Sequence, residues 1–135
     1  LEKPRFFLSP QRIKALTAHW IEQLKTKVSD AELAVSSLSG GNQQRIALAK
    51  WLATEPEVLI LDCPTIGVDV GAKAGIFDII RNLADQGMAI ILISDEAGEI
   101  WMNADRALVL RDGRIYSEVI PAETTEEALE AIINA

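Results

Sequence analysis

Apolar and polar positions follow two rhythms along this chain. Ile13, Leu16, Trp20 and Leu24 recur at helical spacing behind Ser9-Pro10, a capping hydroxyl and then a proline whose missing N–H costs nothing at a helix start. That spacing predicts a helix packed along one face, with His19 beside the face as an ordinary surface residue. Leu1 to Leu8 reads as an irregular lead-in, and Val28 to Ser37 as a short helix or loop. An amphipathic helix is expected from Asn42 to about Thr54, and another from Lys73 to Gln86, with Ile76, Ile79, Ile80 and Leu83 on one side and Gly87 as its stop.

The second rhythm is the short, continuous aliphatic run. Glu57 to Asp62, after Pro56, and Met88 to Ser94 read as strands buried on both faces of a parallel α/β sheet. A short helix comes next, over Glu96 to Asn103. Ala107 to Leu110 and Ile115 to Val119 then pair as a hairpin around Asp112-Gly113. Thr124-Thr125-Glu126-Glu127 reads as a capping box opening a last helix, whose buried side carries Ala128, Leu129, Ile132 and Ile133.

Composition narrows the class. Of 135 residues, 49% are apolar, yet no tract is long enough to span a bilayer and no leader-like segment is present, which predicts a soluble chain. A net charge of −7 argues against nucleic acid as a partner, since phosphate backbones require clustered Lys and Arg. The single cysteine, Cys63, allows neither an internal disulfide nor a thiolate cluster and fits a reducing compartment. The length predicts one compact unit burying roughly two-thirds of its unfolded surface.

Candidate chemistry concentrates in the middle. Leu38-Ser39-Gly40-Gly41-Asn42-Gln43-Gln44 feeds a serine and two glycines into a helix start. Unpaired N–H groups and the positive end of the helix dipole attract phosphate there, glycines let oxygens approach the backbone, and Ser39 adds a hydroxyl. On its own this is an ordinary capped helix. The next element changes the reading: an apolar strand, Val58 to Asp62, ends in a carboxylate where ligands of parallel sheets sit. Such an Asp suits a Mg²⁺ ion held mostly through water beside nucleotide phosphates.

In this order and spacing, Leu38 to Gln44 resembles the signature motif of ATP-binding cassette (ABC) ATPases, and Val58 to Asp62 their Walker B strand. Pro64-Thr65-Ile66-Gly67-Val68-Asp69-Val70-Gly71 resembles their D-loop. Gly41-Asn42-Gln43-Gln44 with Gly67 to Lys73 is similar to the second nucleotide-binding half of ATPases driving bacterial monosaccharide importers. The resemblance implies an α/β, P-loop NTPase-like (RecA-like) parallel sheet with helices on both faces, plus part of the helical subdomain. The implied division is 1–37 for the helical subdomain, 38–120 for the catalytic core and 121–135 for a C-terminal helix.

The family's phosphate loop has no counterpart in this sequence. Gly67 to Lys73 has the wrong glycine spacing, Asp69 inside it, and Ala74 where a hydroxyl should follow the lysine. The chain therefore resembles the carboxyl-terminal part of one cassette. In the family the Walker A strand lies between the strands read at Met88 to Ile93 and Ala107 to Leu110, so both are expected to show unpaired edges. A symmetry-related copy, a rearrangement or a separately encoded half would fill the gap.

Two positions depart from the family pattern. Cys63 stands where a water-polarising Glu follows the Walker B Asp, and a largely protonated thiol is a poor base. Asp95 stands at the switch histidine, and an acid repels a γ-phosphate. Related sugar-importer halves also lack that histidine. The expected site is thus degenerate in its own catalytic groups but intact in its signature. The resemblance implies ATP and Mg²⁺ as cofactors, with Ser39, Gly40, Gly41, Gln43 and Asp62 toward nucleotide, Asp62 toward the metal through water, and Asp69 at the cassette interface. It implies a second cassette, fused or separate, as the direct partner, and a transmembrane permease and a periplasmic sugar-binding protein as indirect ones. The expected location is cytoplasmic, peripheral on the inner face of the bacterial membrane. Alternatives are a non-catalytic half-cassette that docks on another cassette, and a soluble ABC protein of translation or DNA repair.

Overall fold

The computed structural model describes residues 9–135, so the lead-in expected over Leu1 to Leu8 lies outside the described residues. In chain order the elements are α1 (Pro10–Gln23), a 3₁₀ turn (Val35–Ser37), α2 (Gly40–Leu52), β1 (Val58–Asp62) and α3 (Val70–Asp85). They continue with β2 (Ala89–Ile93), α4 (Ala97–Asn103), β3 (Ala107–Arg111), β4 (Arg114–Val119), a second 3₁₀ turn (Pro121–Glu123) and α5 (Glu126–Asn134). Instead of one compact unit the chain divides in two. The first unit runs up to Pro56 and includes Gly67–Ile79; the second comprises Glu57–Ile66 and Ile80–Ala135.

The first unit holds α1, α2 and the opening of α3. Helix α1 begins at Pro10 behind Ser9, as its proline requires, but Ile13 and Leu16 are exposed and the burial expected along its face is concentrated at its end, in Leu24. That end is a Schellman motif: the Thr26 N–H donates to the Ile21 carbonyl at 2.9 Å and the Lys25 N–H to Glu22 at 3.0 Å. Lys25, at φ 50°, occupies the left-handed position usually given to glycine. Helix α2 starts two residues before the expected Asn42 and ends at Leu52, burying Gly41, Leu48, Ala49 and Leu52. Two glycines are poor helix formers, and the close packing of Gly41, described below, compensates.

In the second unit β1 and β2 run parallel, with Val58 opposite Ala89, Ile60 opposite Ile91 and Asp62 opposite Ile93. Leu59 and Leu61 are buried, whereas Val58, Ile60, Ile91 and Ile93 are exposed. Burial on both faces was expected and holds for one face only. The crossover between the two strands runs through α3, as a parallel pair requires, and an aliphatic strand run does not by itself say how many faces are covered. Helix α3 closes on Gly87, at φ 95°, with the Met88 N–H reaching back to Leu83 at 3.1 Å, the stop the sequence predicts.

Strands β3 and β4 form the expected hairpin as a separate two-stranded sheet, so β2 and β3 do not pair with each other. Asp112 and Gly113 both have positive φ (48° and 73°), which a primed two-residue turn requires. The register shifts between Val109 and Leu110, a bulge that leaves Tyr116 under the Arg111 guanidinium, 4.1 Å from its ring centre. Arg111 also donates to the Ile132 and Ile133 carbonyls, closing the C-terminus of α5 with a cation. At the other end of α5 the N-cap is Thr125, whose hydroxyl accepts the Ala128 N–H at 3.3 Å. The expected box is modified, because Ala128 and not a Glu occupies its reciprocal position. Glu127 takes over part of that role, and hydrogen bonds from its own N–H and the Thr125 hydroxyl hold its carboxyl below the usual range.

Candidate functional site

The residues singled out in the sequence fall into two groups, one within each unit. In the first unit, Ser39 is the N-cap of α2 with extended backbone, and the first helical bond is Gln43 N–H to Ser39 C=O at 2.9 Å. The N–H groups of Gly40, Gly41 and Asn42 precede that bond and are the orphan donors of a helix start. Ser39 itself makes no capping bond; its Oγ accepts from Asn42 Nδ2 at 3.1 Å. An exposed hydroxyl beside orphan N–H groups suits a phosphate oxygen.

The two glycines have a packing role. A Cβ on Gly40 would lie 2.9 Å from the Gly67 carbonyl oxygen, and one on Gly41 would lie 2.7 Å from the Ala72 methyl. Both are therefore required for α2 to pack against the loop and first turn of α3, a role the motif alone does not reveal. Gln43 spends its amide on the Leu38 carbonyl at 2.7 Å, bracing the turn before the helix. Asp69 caps α3, with Oδ1 accepting the Ala72 N–H at 3.0 Å. Arg45 on α2 donates to the Leu24 and Lys25 carbonyls, both at 2.8 Å, and its guanidinium occupies the space that a Cβ on Gly75 would need.

In the second unit the structure brings Asp62, Cys63 and Asp95 together. Cys63 ends the β1 turn at φ 44°, and its N–H donates to the Ile93 carbonyl at 2.9 Å, tying the loops after β1 and β2. Partial burial, then the neighbouring Asp62 carboxylate and Asp95, push the thiol above its ordinary value, outweighing the Asp95 N–H that lowers it. A thiol held in its protonated form is neither a good nucleophile nor a base. Asp62 is exposed at the strand end, on the same face as Ile60, and fits a Mg²⁺ ion that takes most of its ligands from water and phosphate. No group of three or more His, Cys, Asp or Glu able to cage a metal occurs among the described residues.

One polar cluster was not anticipated. Glu99 of α4 is 6% exposed, and its two carboxylate oxygens accept from Thr65 and Ser94, each at 2.6 Å. Ser94 in turn accepts the Glu96 N–H at 3.1 Å, and the Glu99 carbonyl accepts from Asn103 at 2.8 Å. The carboxylate thus fastens the loop after Cys63 to the loop that precedes Asp95. Thr65 and Glu99 are 34 residues apart, so no local spacing announces the pair. The available signal was a lone acid beside Ile100 and Trp101 in a short helix.

Similarity to known proteins runs along the same lines. The family model described as ABC transporter matches residues 8–66. The chain is 47% identical over 123 residues to the ribose import ATP-binding protein RbsA of Rhodococcus jostii, covering 91% of this chain and 24% of that protein. It is 41% identical over 125 residues to the arabinose import ATP-binding protein AraG 2 of Burkholderia ambifaria, covering 93% and 24%. The chain thus spans about a quarter of the length of these relatives. Among solved structures it is similar to the dimeric bacterial ABC transporter cassette MJ0796, with TM-score 0.74 and 23% identity over 88% of this chain and 51% of that one. It is also similar to cbiO1 of Clostridium perfringens, with TM-score 0.71 and 25% identity over 88% and 47%. Among the described residues no helix is long and apolar enough to cross a membrane.

Proposed function

The chain belongs to the ABC transporter ATPase family, and from that premise we propose that it is part of the ATP-hydrolysing subunit of a bacterial sugar importer. The observation that carries this reading is the 47% identity to a ribose import ATP-binding protein across 91% of the chain. Within it, Ser39 and the Gly41 N–H serve the γ-phosphate of an ATP held by another cassette. The orphan N–H groups of that helix start and the exposed Ser39 hydroxyl are donors, which is what a polyanion needs. A related cassette solved as a dimer, and again with ADP and phosphate, supports nucleotide as the ligand class.

The second group of residues has a different part. Asp62 would hold Mg²⁺ through water, and the ion would supply positive charge beside the phosphates. Cys63 and Asp95 replace the groups that would polarise water and sense the γ-phosphate, so this chain's own site is degenerate while its signature completes the partner's. Asp69, fixed by its bond to the Ala72 N–H, faces the cassette interface. Partners are a second cassette directly, and a permease and sugar-binding protein through the assembled importer, with the ATPase lying on the cytoplasmic face of the membrane.

The test is sugar uptake by the intact importer carrying Ser39→Arg. The bulky cation fills the space of the phosphate oxygens and removes the hydroxyl, so uptake falls to background. Uptake at the parent rate would refute the assignment.

A further inference from the structure

The orientation of one side-chain amide determines what the Ser39 hydroxyl can do. Asn42 lies in the first turn of α2, and its Oδ1 accepts the Lys27 backbone N–H at 3.0 Å. A backbone N–H can only donate, so this bond identifies Oδ1 without ambiguity and leaves Nδ2 as the atom facing Ser39. Nδ2 stands 3.1 Å from Ser39 Oγ and can only donate to it. Ser39 Oγ therefore spends a lone pair on Asn42, and its single proton remains to be donated. Ser39 makes no capping bond, and among the described residues its Oγ has no hydrogen-bond partner besides Asn42, so that proton has no protein acceptor.

We propose that Asn42 is a positioning residue that sets the Ser39 hydroxyl as a donor toward the phosphate and ties that setting to the turn leaving α1. The tie is physical. Lys27 follows Thr26, the last residue of the Schellman motif that ends α1, and Arg45, one helical turn beyond Asn42, grips the Leu24 and Lys25 carbonyls of that motif. Asn42 and Arg45 thus bind one turn of chain to one face of α2. A shift of this turn withdraws the N–H that orients Asn42, and Ser39 then loses the partner that fixes its polarity. The inference rests on the reading that Ser39 faces phosphate.

The experiment is ATP hydrolysis by the intact transporter with Asn42→Asp. Aspartate keeps the shape and still accepts the Lys27 N–H, but it presents an acceptor to Ser39 and captures its proton. The expected result is a rise of about tenfold or more in KM for ATP, the loss of one charge-assisted hydrogen bond, with the thermal midpoint unchanged. Asn42→Gln, which keeps both functions of the amide, stays near the parent value and shows that position 42 tolerates substitution. Aspartate also adds a charge, and a double-mutant cycle with Ser39→Ala separates the two effects. If Asn42 acts through Ser39, Asn42→Asp adds little in the Ser39→Ala background; a full effect there overturns the proposal. If Asn42→Asp is silent while Ser39→Arg abolishes turnover, the signature reading stands and the positioning role is overturned. If both variants are silent, the signature reading itself is refuted.

Discussion

The start of α2 and the end of β1 are both places where the chain meets solvent with polar groups, yet they are opposite in kind. The first offers donors: orphan N–H groups and a serine whose own proton is unspent, with Asn42 donating to its oxygen. The second offers acceptors: Asp62 and Asp95 beside a thiol that partial burial, and then these carboxylates, push above its ordinary value. Phosphate is stabilised by the first without assistance and approaches the second only with a cation between them. On the proposed function, the first would serve an ATP held by another cassette and the second would belong to the chain's own site. Under that proposal one contribution is kept while the other has decayed, and the contrast in donors and acceptors is what it rests on.

The largest effect is expected in the second unit. Glu99→Leu removes the acceptor of both Thr65 and Ser94 and leaves their hydroxyls stranded, a loss of about 3 kcal/mol. Denaturant unfolding of the intact protein should show this loss, while KM for ATP is unchanged because the signature lies in the other unit. Gly41→Ala should cost somewhat less, about 1–3 kcal/mol of overpacking against Ala72, but should lower ATP turnover as well. Ala72→Gly in that background makes room for the new methyl and should restore turnover. A Gly41→Ala variant with full activity would show that the α2 start needs no such close packing.

The smallest effect is on reactivity. Alkylation of Cys63 should be slow at neutral pH and rise through a midpoint above that of a free thiol, since partial burial and two carboxylates favour the protonated form. Asp62→Asn removes one of these carboxylates and should move the midpoint down. A midpoint at or below the free-thiol value would contradict the acceptor-rich description.

Much of this was legible in the sequence, for local reasons. Asp112-Gly113, Gly87 and Pro10 each state a backbone requirement within two or three residues, and each was met, whereas the Ser9 hydroxyl expected as a cap makes no capping bond. The strand from Val58 to Asp62 was legible as a strand, but not the exposure of Ile60, because an aliphatic run does not say how many faces are covered. Lys25 in a left-handed C′ position carries no glycine to announce it. The packing role of Gly41 was hidden because a glycine-rich helix start reads equally well as a phosphate-binding motif and as a close helix contact. The Glu99 cluster and the Asn42 to Lys27 bond join residues 34 and 15 apart, and only the fold brings them together.

In the proposed function this chain serves ATP through its signature and not through the residues after β1. The most direct test is steady-state ATP hydrolysis by the intact transporter with Ser39→Arg and with Cys63→Ala, measured side by side. Ser39→Arg should reduce turnover to background, and Cys63→Ala should retain the parent rate. Loss of turnover in Cys63→Ala with activity preserved in Ser39→Arg would contradict the proposed function.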